Sequence, residues 1–191
     1  MRAKRKEPFM FISLIQKRRS IRKFQDKQVE AEKVDLLIEA ALRAPSSRSF
    51  QPCEFIVVSD KDLLDKLSRS KPHGSTFLKN APLGIVICAD PKKCDVWVED
   101  SSIASIFIHL AAESLGLGSC WIQIRERMHN GDKTAQEYIS EILAVPDGLM
   151  VESMVAVGYP DEKKPPVAKE ALQYNKIFLN SYGKSYLEGG E

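Results

Sequence analysis

Apolar positions recur along the chain with two periods. In residues 32–43, Val34, Leu37, Ile38, Ala41 and Leu42 follow the i, i+3, i+4, i+7, i+8 rule of an amphipathic helix. The helix should stop at Ala44, because a residue before proline leaves the helical region. Residues 9–17 predict a short helix with Phe11, Ile12 and Ile15 on one face. Contiguous apolar runs predict strands at 54–59, 83–89, 119–124 and 150–157. Asp60 is placed to cap a helix carrying Leu63, Leu64 and Leu67. Residues 134–145 read as another helix, with Tyr138, Ile139, Ile142 and Leu143 on one side. The segment from a cap at Asp100 or Ser101 to Leu115 is unusual. Ile103, Ile106, Phe107, Ile108, Leu110 and Ala111 nearly surround it, so it should be buried on most sides, either centrally or against a partner subunit. Gly116 ends it. Helices on a small sheet make an α+β class.

Composition adds bounds. The 191 residues are 43% hydrophobic and 28% charged, which argues against disorder and coiled coil. They suit one domain with a tail: residues 1–10 as a flexible basic segment, 11–160 as the body, 161–191 as an arm. The arm has Pro165-Pro166 and the spaced anchors Tyr174, Ile177, Phe178, Leu179, Tyr182 and Tyr186, a pattern suited to crossing another surface. No apolar run reaches the roughly 18 residues of a bilayer helix. The basic N-terminus lacks the apolar core of a secretion signal, so a cytoplasmic location is expected. Cys53, Cys88, Cys94 and Cys120 have no C-x-x-C spacing, and His73, His109 and His129 are scattered. Neither a metal site nor a disulfide framework is expected.

The net charge of +2 conceals an asymmetry. Residues 1–23 hold nine Lys or Arg and one acid, while the rest of the chain is net acidic. An anionic partner follows: a phosphate ligand, a nucleic acid or a membrane surface.

Three constellations are candidates for chemistry. Lys17-Arg18-Arg19-Ser20-Ile21-Arg22 groups cations with a hydroxyl, and arginine forks match phosphate oxygens. The plain alternative is a solvated basic face. Pro45, Ser46, Ser47, Ser49 and Gln51 lie in a loop of small polar groups that suits the polar edge of a planar ring, or an ordinary turn. Gly116 to Gln123 joins two glycines to Trp121, Ile122 and Gln123. This stretch reads as a surface for a flat ligand or as a core strand. It is not a dinucleotide fingerprint, because its glycines precede a strand.

In this order the stretches "RRSIRKF", "AALRAPSSRSFQPCEFIVV", "LGLGSCWIQ" and "VAVGYP" resemble the nitroreductase family of FMN-dependent oxidoreductases. The resemblance runs from about Phe11 to Pro160. It implies an α+β fold with a central antiparallel sheet, flanking helices and an intertwined homodimer embraced by C-terminal arms. It also implies FMN at the subunit interface. Arg18 and Ser20 would then hold the FMN phosphate, with Arg19 acting through its backbone and Lys163 or Lys164 completing the site. Arg22 would lie at the pyrimidine edge. Pro45, Ser46, Ser47, Ser49 and Gln51 would contact the flavin, in part from the partner chain. Trp121, Ile122 and Gln123 would run along the ring, the Gln123 amide toward N5. Two departures stand out: Ser49 where the family commonly has Asn, and Cys53 where it commonly has Trp.

The implied reaction is ping-pong. NAD(P)H delivers two electrons to the flavin and leaves, and a nitroaromatic, quinone or similar electron-poor acceptor takes them. No protein nucleophile is needed. The alternatives are a flavin-binding redox sensor or storage protein without turnover, and a nucleic-acid module using the basic N-terminus. Against the last, that segment has few aromatics for stacking.

Overall fold

The computed structural model describes residues 10–187. Nine regular elements follow one another: α1 (Met10–Lys17), α2 (Ala31–Leu42), β1 (Cys53–Val58), α3 (Lys61–Ser68), β2 (Leu83–Ala89), α4 (Trp97–Ser114), β3 (Gly118–Gln123), α5 (Ala135–Leu143) and β4 (Met150–Gly158). The strands form one antiparallel sheet in the order β1-β2-β4-β3. Consequently β1 and β3 are opposite edges, three strand spacings or roughly 14 Å apart.

Side chains alternate between two cores, as the pleat requires. Leu83, Ile85 and Ile87 of β2, with Val155 and Val157 of β4, pack against α2 and α4 through Leu37, Ala41, Ile108 and Ala112. Val86, Cys88, Met154 and Ala156 face the other way, onto Leu64, Leu67 and Leu78 and onto Ala135 and Ile139 of α5. Burying ten or more Leu, Ile and Val side chains at about 1.5–3 kcal/mol each supplies the main driving force. Local signals fix the helix ends. Asp60 accepts the Leu63 N–H at 2.8 Å. Thr134 and Glu137 form a reciprocal capping box.

The helix expected to begin at Asp100 or Ser101 begins instead at Trp97, with Asp100 inside its first turn. Nothing between Trp97 and Glu99 breaks a helix, and the Asp100 carboxylate is used elsewhere. The stripe of α4 facing the sheet is Ser101, Ala104, Ser105, Ile108, His109 and Ala112, which is mostly small or polar. The bulkier Ile103, Phe107 and Leu110 are only half-buried, and Ile106 is exposed. Small residues let the helix approach the sheet closely, so the large ones are left pointing away from this chain's own core. Met10, Phe11, Ile12 and Ile15 of α1 are exposed too.

Two close approaches tie the chain ends to the sheet. Residues 20–25 run beside the start of β3 and the end of β4. Ile21 N–H donates to the Ser119 carbonyl at 2.9 Å, and Gln25 N–H to the Tyr159 carbonyl at 2.9 Å. Gly118 makes the first approach possible, because a Cβ there would sit 2.8 Å from Ile21 Cβ. Residues 166–187 of the arm are almost wholly exposed, with two single-turn 3-10 segments and a Phe178–Tyr182 ring pair.

Candidate active site

The basic cluster is built where three segments meet. After α1 ends, residues 18–22 turn along β3, and a single parallel bridge joins Ser20 to Ser119. The chain leaving β4 returns over the same place. Lys164 Nζ donates to the Ser20 carbonyl at 2.6 Å, and the Arg19 guanidinium donates to the Pro165 carbonyl. Glu162 organises the group: its carboxylate accepts the Arg22 N–H at 2.6 Å and lies 3.1 Å from Lys164 Nζ. The Arg22 backbone donor, followed by Lys164, holds the Glu162 carboxyl below the ordinary carboxylate range. Arg22 extends its guanidinium over Phe77, 5.7 Å from the ring centre. Lys163 is exposed and makes no hydrogen bond or ion pair among the described residues, so Lys164 is the lysine in the cluster.

Beneath the cluster lies Cys120. Burial raises its thiol pKa, while Arg22, Lys164 and a Ser20 hydrogen bond oppose the rise. Ser119 hydrogen-bonds His109 Nδ1 at 2.6 Å. His109 is pushed down to about 4 from 6.5 by burial, with Arg18 adding repulsion. It is therefore neutral at pH 7. Unfolding restores the ordinary value, so the unfolded chain binds the extra proton between pH 6.5 and about 4. Stability present above that window is lost as pH falls through it, by roughly 3 kcal/mol at most. Melting temperatures across this range should fall more steeply for the parent than for His109→Gln. Equal slopes would overturn the assignment. Glu152, whose carboxyl burial pushes up from 4.5, acts in the opposite sense and is common to both proteins.

The exposed edge of β3 offers backbone groups. Ile124 N–H pairs with Glu152 of β4, whereas the Ser119 carbonyl pairs with Ile21 on the other side. Alternation then turns the N–H and C=O of Trp121 and Gln123 outward. Lys71 Nζ reaches the Gln123 carbonyl at 2.8 Å, its pKa lowered by burial and by the neighbouring Arg127. The Gln123 side chain is engaged by Arg127 at 2.7 Å, leaving the outward backbone N–H as the group of that residue with no partner among the described residues. Trp121 is 40% exposed, but Ile122 is 1% exposed with its side chain in the core. The expected packing of Ile122 on a flat ligand is therefore corrected: period two turns it inward.

The polar loop lies elsewhere. Pro45, Ser46, Ser47, Ser49 and Gln51 precede β1, at the sheet edge opposite β3. One chain does not bring this loop to its own basic cluster. Arg48, Ser49 and Gln51 all have φ near +50°: 52, 56 and 46 degrees. Left-handed residues other than glycine cost about 1–2 kcal/mol each, so other contacts must hold the loop. Ser46 Oγ accepts the Gln51 N–H at 2.9 Å, Arg48 pairs with Asp95, and the buried Asp100 accepts the Ser47 N–H at 2.9 Å. Asparagine tolerates this backbone region better than serine, which gives the Ser49 departure a conformational meaning. Cys53 lines a cavity of about 150 Å³ shared with Leu42, Pro45, Gln51, Phe55 and Asp100.

Sequence reasoning missed Glu162, Lys71 and Asp100 as members of these groups. The "PDEKK" run after the last strand places an acid among cations and was the available signal for Glu162.

The architecture is an α+β fold with a cationic cluster at one edge of its sheet and a polar loop at the other. The nitroreductase family model matches residues 15–72 and 65–159, and the chain belongs to that family. A solved FMN-dependent nitroreductase from Clostridium difficile R20291 superposes with a TM-score of 0.88 at 50% identity, over 90% of this chain and 99% of that one. A protein of Archaeoglobus fulgidus, provisionally described as an NADH dehydrogenase/NAD(P)H nitroreductase, is 39% identical over 80% of this chain and 87% of its own length. The FMN reductase [NAD(P)H] of Bacillus subtilis is 31% identical over 85% of this chain and 72% of its own.

Proposed function

We propose that this protein is an FMN-dependent oxidoreductase. It takes two electrons from NAD(P)H and passes them to nitroaromatic, quinone or similar electron-poor acceptors. The carrying observation is the meeting of Arg19, Ser20, Arg22 and Lys164 at one end of the open β3 edge, with the charge of Arg18 close enough to act on His109 behind Ser119. That donor set fits a phosphorylated flavin: guanidinium and ammonium groups beside a hydroxyl suit the phosphate. The outward N–H of Gln123, with Lys71 and Arg22, suits the polar side of the ring.

Bound FMN would supply the hydride-accepting and electron-donating chemistry. The chain's own residues bind and orient. Arg18, Ser20 and Lys164 hold the phosphate, and Arg19 ties the returning tail in place. Arg22 and Lys71 put positive charge where negative charge develops on reduction, which lowers the barrier by preorganised electrostatics. Gln123 offers a fixed backbone donor at the reacting edge.

The cleft is completed by a second copy of the chain. The loop bearing Pro45, Ser46, Ser47, Ser49 and Gln51 lies at the far sheet edge, so the partner presents it across the interface. The exposed apolar faces of α1 and α4 are the surfaces that pair, and the arm, over its described residues 161–187, packs on the partner through its spaced aromatics. NAD(P)H and the acceptor use the same cleft in turn.

Purified protein should be yellow, with the spectrum of an oxidised flavin and a solution mass twice the 21.5 kDa of one chain. It should oxidise NADH or NADPH with menadione or nitrofurazone, giving parallel double-reciprocal lines. A colourless monomer that takes up no added FMN would overturn the proposal. A flavin-loaded dimer without turnover would move it to the sensor or storage reading.

A further inference from the structure

We infer that Asp100 is a positioning residue for the flavin loop, latching it in its left-handed conformation so that it can meet the cofactor of the partner subunit. This rests on the FMN reading above. Asp100 is 3% exposed, in the first turn of α4. One carboxylate oxygen accepts the Ser47 N–H at 2.9 Å, and the other accepts the Cys94 thiol at 3.4 Å. Ser47 opens the 3-10 turn that leads into Arg48, Ser49 and Gln51, the three residues with positive φ.

The other side-chain contacts of the loop are exposed to solvent. Ser46 Oγ accepts the Gln51 N–H at 2.9 Å within the loop itself, Arg48–Asp95 is an exposed ion pair, and the Lys93 Nζ to Gln51 carbonyl bond is long, at 3.3 Å. Exposed pairs contribute little, whereas a charge-assisted bond to a buried carboxylate is strong. Asp100 also belongs to a rigid element. Helix α4 packs against all four strands, α1 and α2, so the latch fixes the loop to the body of the domain. A strained segment persists only where its surroundings over-determine it, and Asp100 is the buried part of those surroundings.

The test uses Asp100→Ala, the shape-preserving Asp100→Asn, and Cys94→Ala, which leaves the Ser47 bond intact. Loop order is read first without flavin, as the rate of tryptic cleavage after Arg48. Asp100→Ala should be cut about tenfold faster than the parent, the effect of losing one charge-assisted bond. Asp100→Asn, which keeps an acceptor for the Ser47 N–H, and Cys94→Ala should stay near the parent rate. With flavin, Asp100→Ala should bind FMN and riboflavin more weakly by the same factor and alter the visible spectrum of the bound ring, because the loop meets the ring and not the phosphate. Asp100→Asn should restore both.

Unchanged cleavage after Arg48 in Asp100→Ala overturns the latch whether or not the protein binds flavin. Faster cleavage with unchanged flavin affinity and spectrum overturns the positioning role and leaves the FMN reading standing. A parent protein that binds no FMN removes the cofactor reading and the positioning role with it. The proteolysis result shows which of the two has failed. If Asp100→Ala does not fold, Ser47→Pro decides, because it removes the N–H that Asp100 accepts and leaves the carboxylate in place. Cleavage after Arg48 as slow in Ser47→Pro as in the parent would overturn the latch.

Discussion

Gly118→Ala should unseat the basic segment from the sheet. The added Cβ would lie 2.8 Å from Ile21 Cβ and 2.9 Å from both of its γ carbons. Ile21 is 7% exposed and packed into the core, and its N–H is bonded to Ser119. It cannot yield without moving the chain that carries Arg18, Ser20 and Arg22. Overpacking of this kind costs about 1–3 kcal/mol. For a chain of this length that lowers the melting temperature by roughly 5 °C. Moving the cations off β3 should also weaken FMN binding by at least about tenfold, near 1.4 kcal/mol. Gly131→Ala is the control, since nothing lies within 4 Å of its Cβ position. Thermal melting and flavin titration of the two variants check the prediction. A Gly118→Ala protein that melts and binds as the parent does would refute the close contact as a determinant of the site.

The second large effect concerns the phosphate. Arg18→Ala combined with Ser20→Ala removes a guanidinium and a hydroxyl from the cluster. Hydrogen bonds to charged groups contribute about 1.5–3 kcal/mol each, so FMN affinity should fall on the order of a hundredfold. Riboflavin lacks the phosphate, and its affinity should change little. The loss for FMN should also shrink at high salt, because the parent's own advantage is partly screened. Fluorescence titration of flavin-free protein with both ligands separates the cases. Equal losses for FMN and riboflavin would mean that the pair supports the ring or the fold. No loss for either would remove Arg18 and Ser20 from the site.

Much of this architecture is written in local pattern. The period of Val34, Leu37, Ile38, Ala41 and Leu42 locates α2 to within a residue or two, and the apolar run 83–89 matches β2. Capping at Asp60 and Thr134 depends on neighbours three residues away, so it is readable without tertiary information. What pattern does not reveal is which of several apolar faces meets which neighbour. The many large apolar residues of α4 suggested burial all round, yet the small stripe is the one against the sheet, because it allows the closer approach. Of the two glycines after α4, Gly116 ends the helix as its position predicts, with a positive φ of 73°, whereas the close approach of Gly118 to Ile21 is a tertiary contact. Glu162, Lys71 and Asp100 act across 140, 52 and 53 residues of chain. Contacts at such separation follow from topology, which the spacing of apolar residues leaves open.

The order of strands has a genetic consequence. With the polar loop at one border and the guanidinium cluster at the other, each cleft of the proposed dimer draws half of its parts from either polypeptide. A subunit weakened at Arg18 and Ser20 and another weakened at Asp100 would each hold flavin poorly as a pure population. Mixed together, they would regenerate one sound cleft per hybrid pair, so two defective alleles of this gene could complement each other.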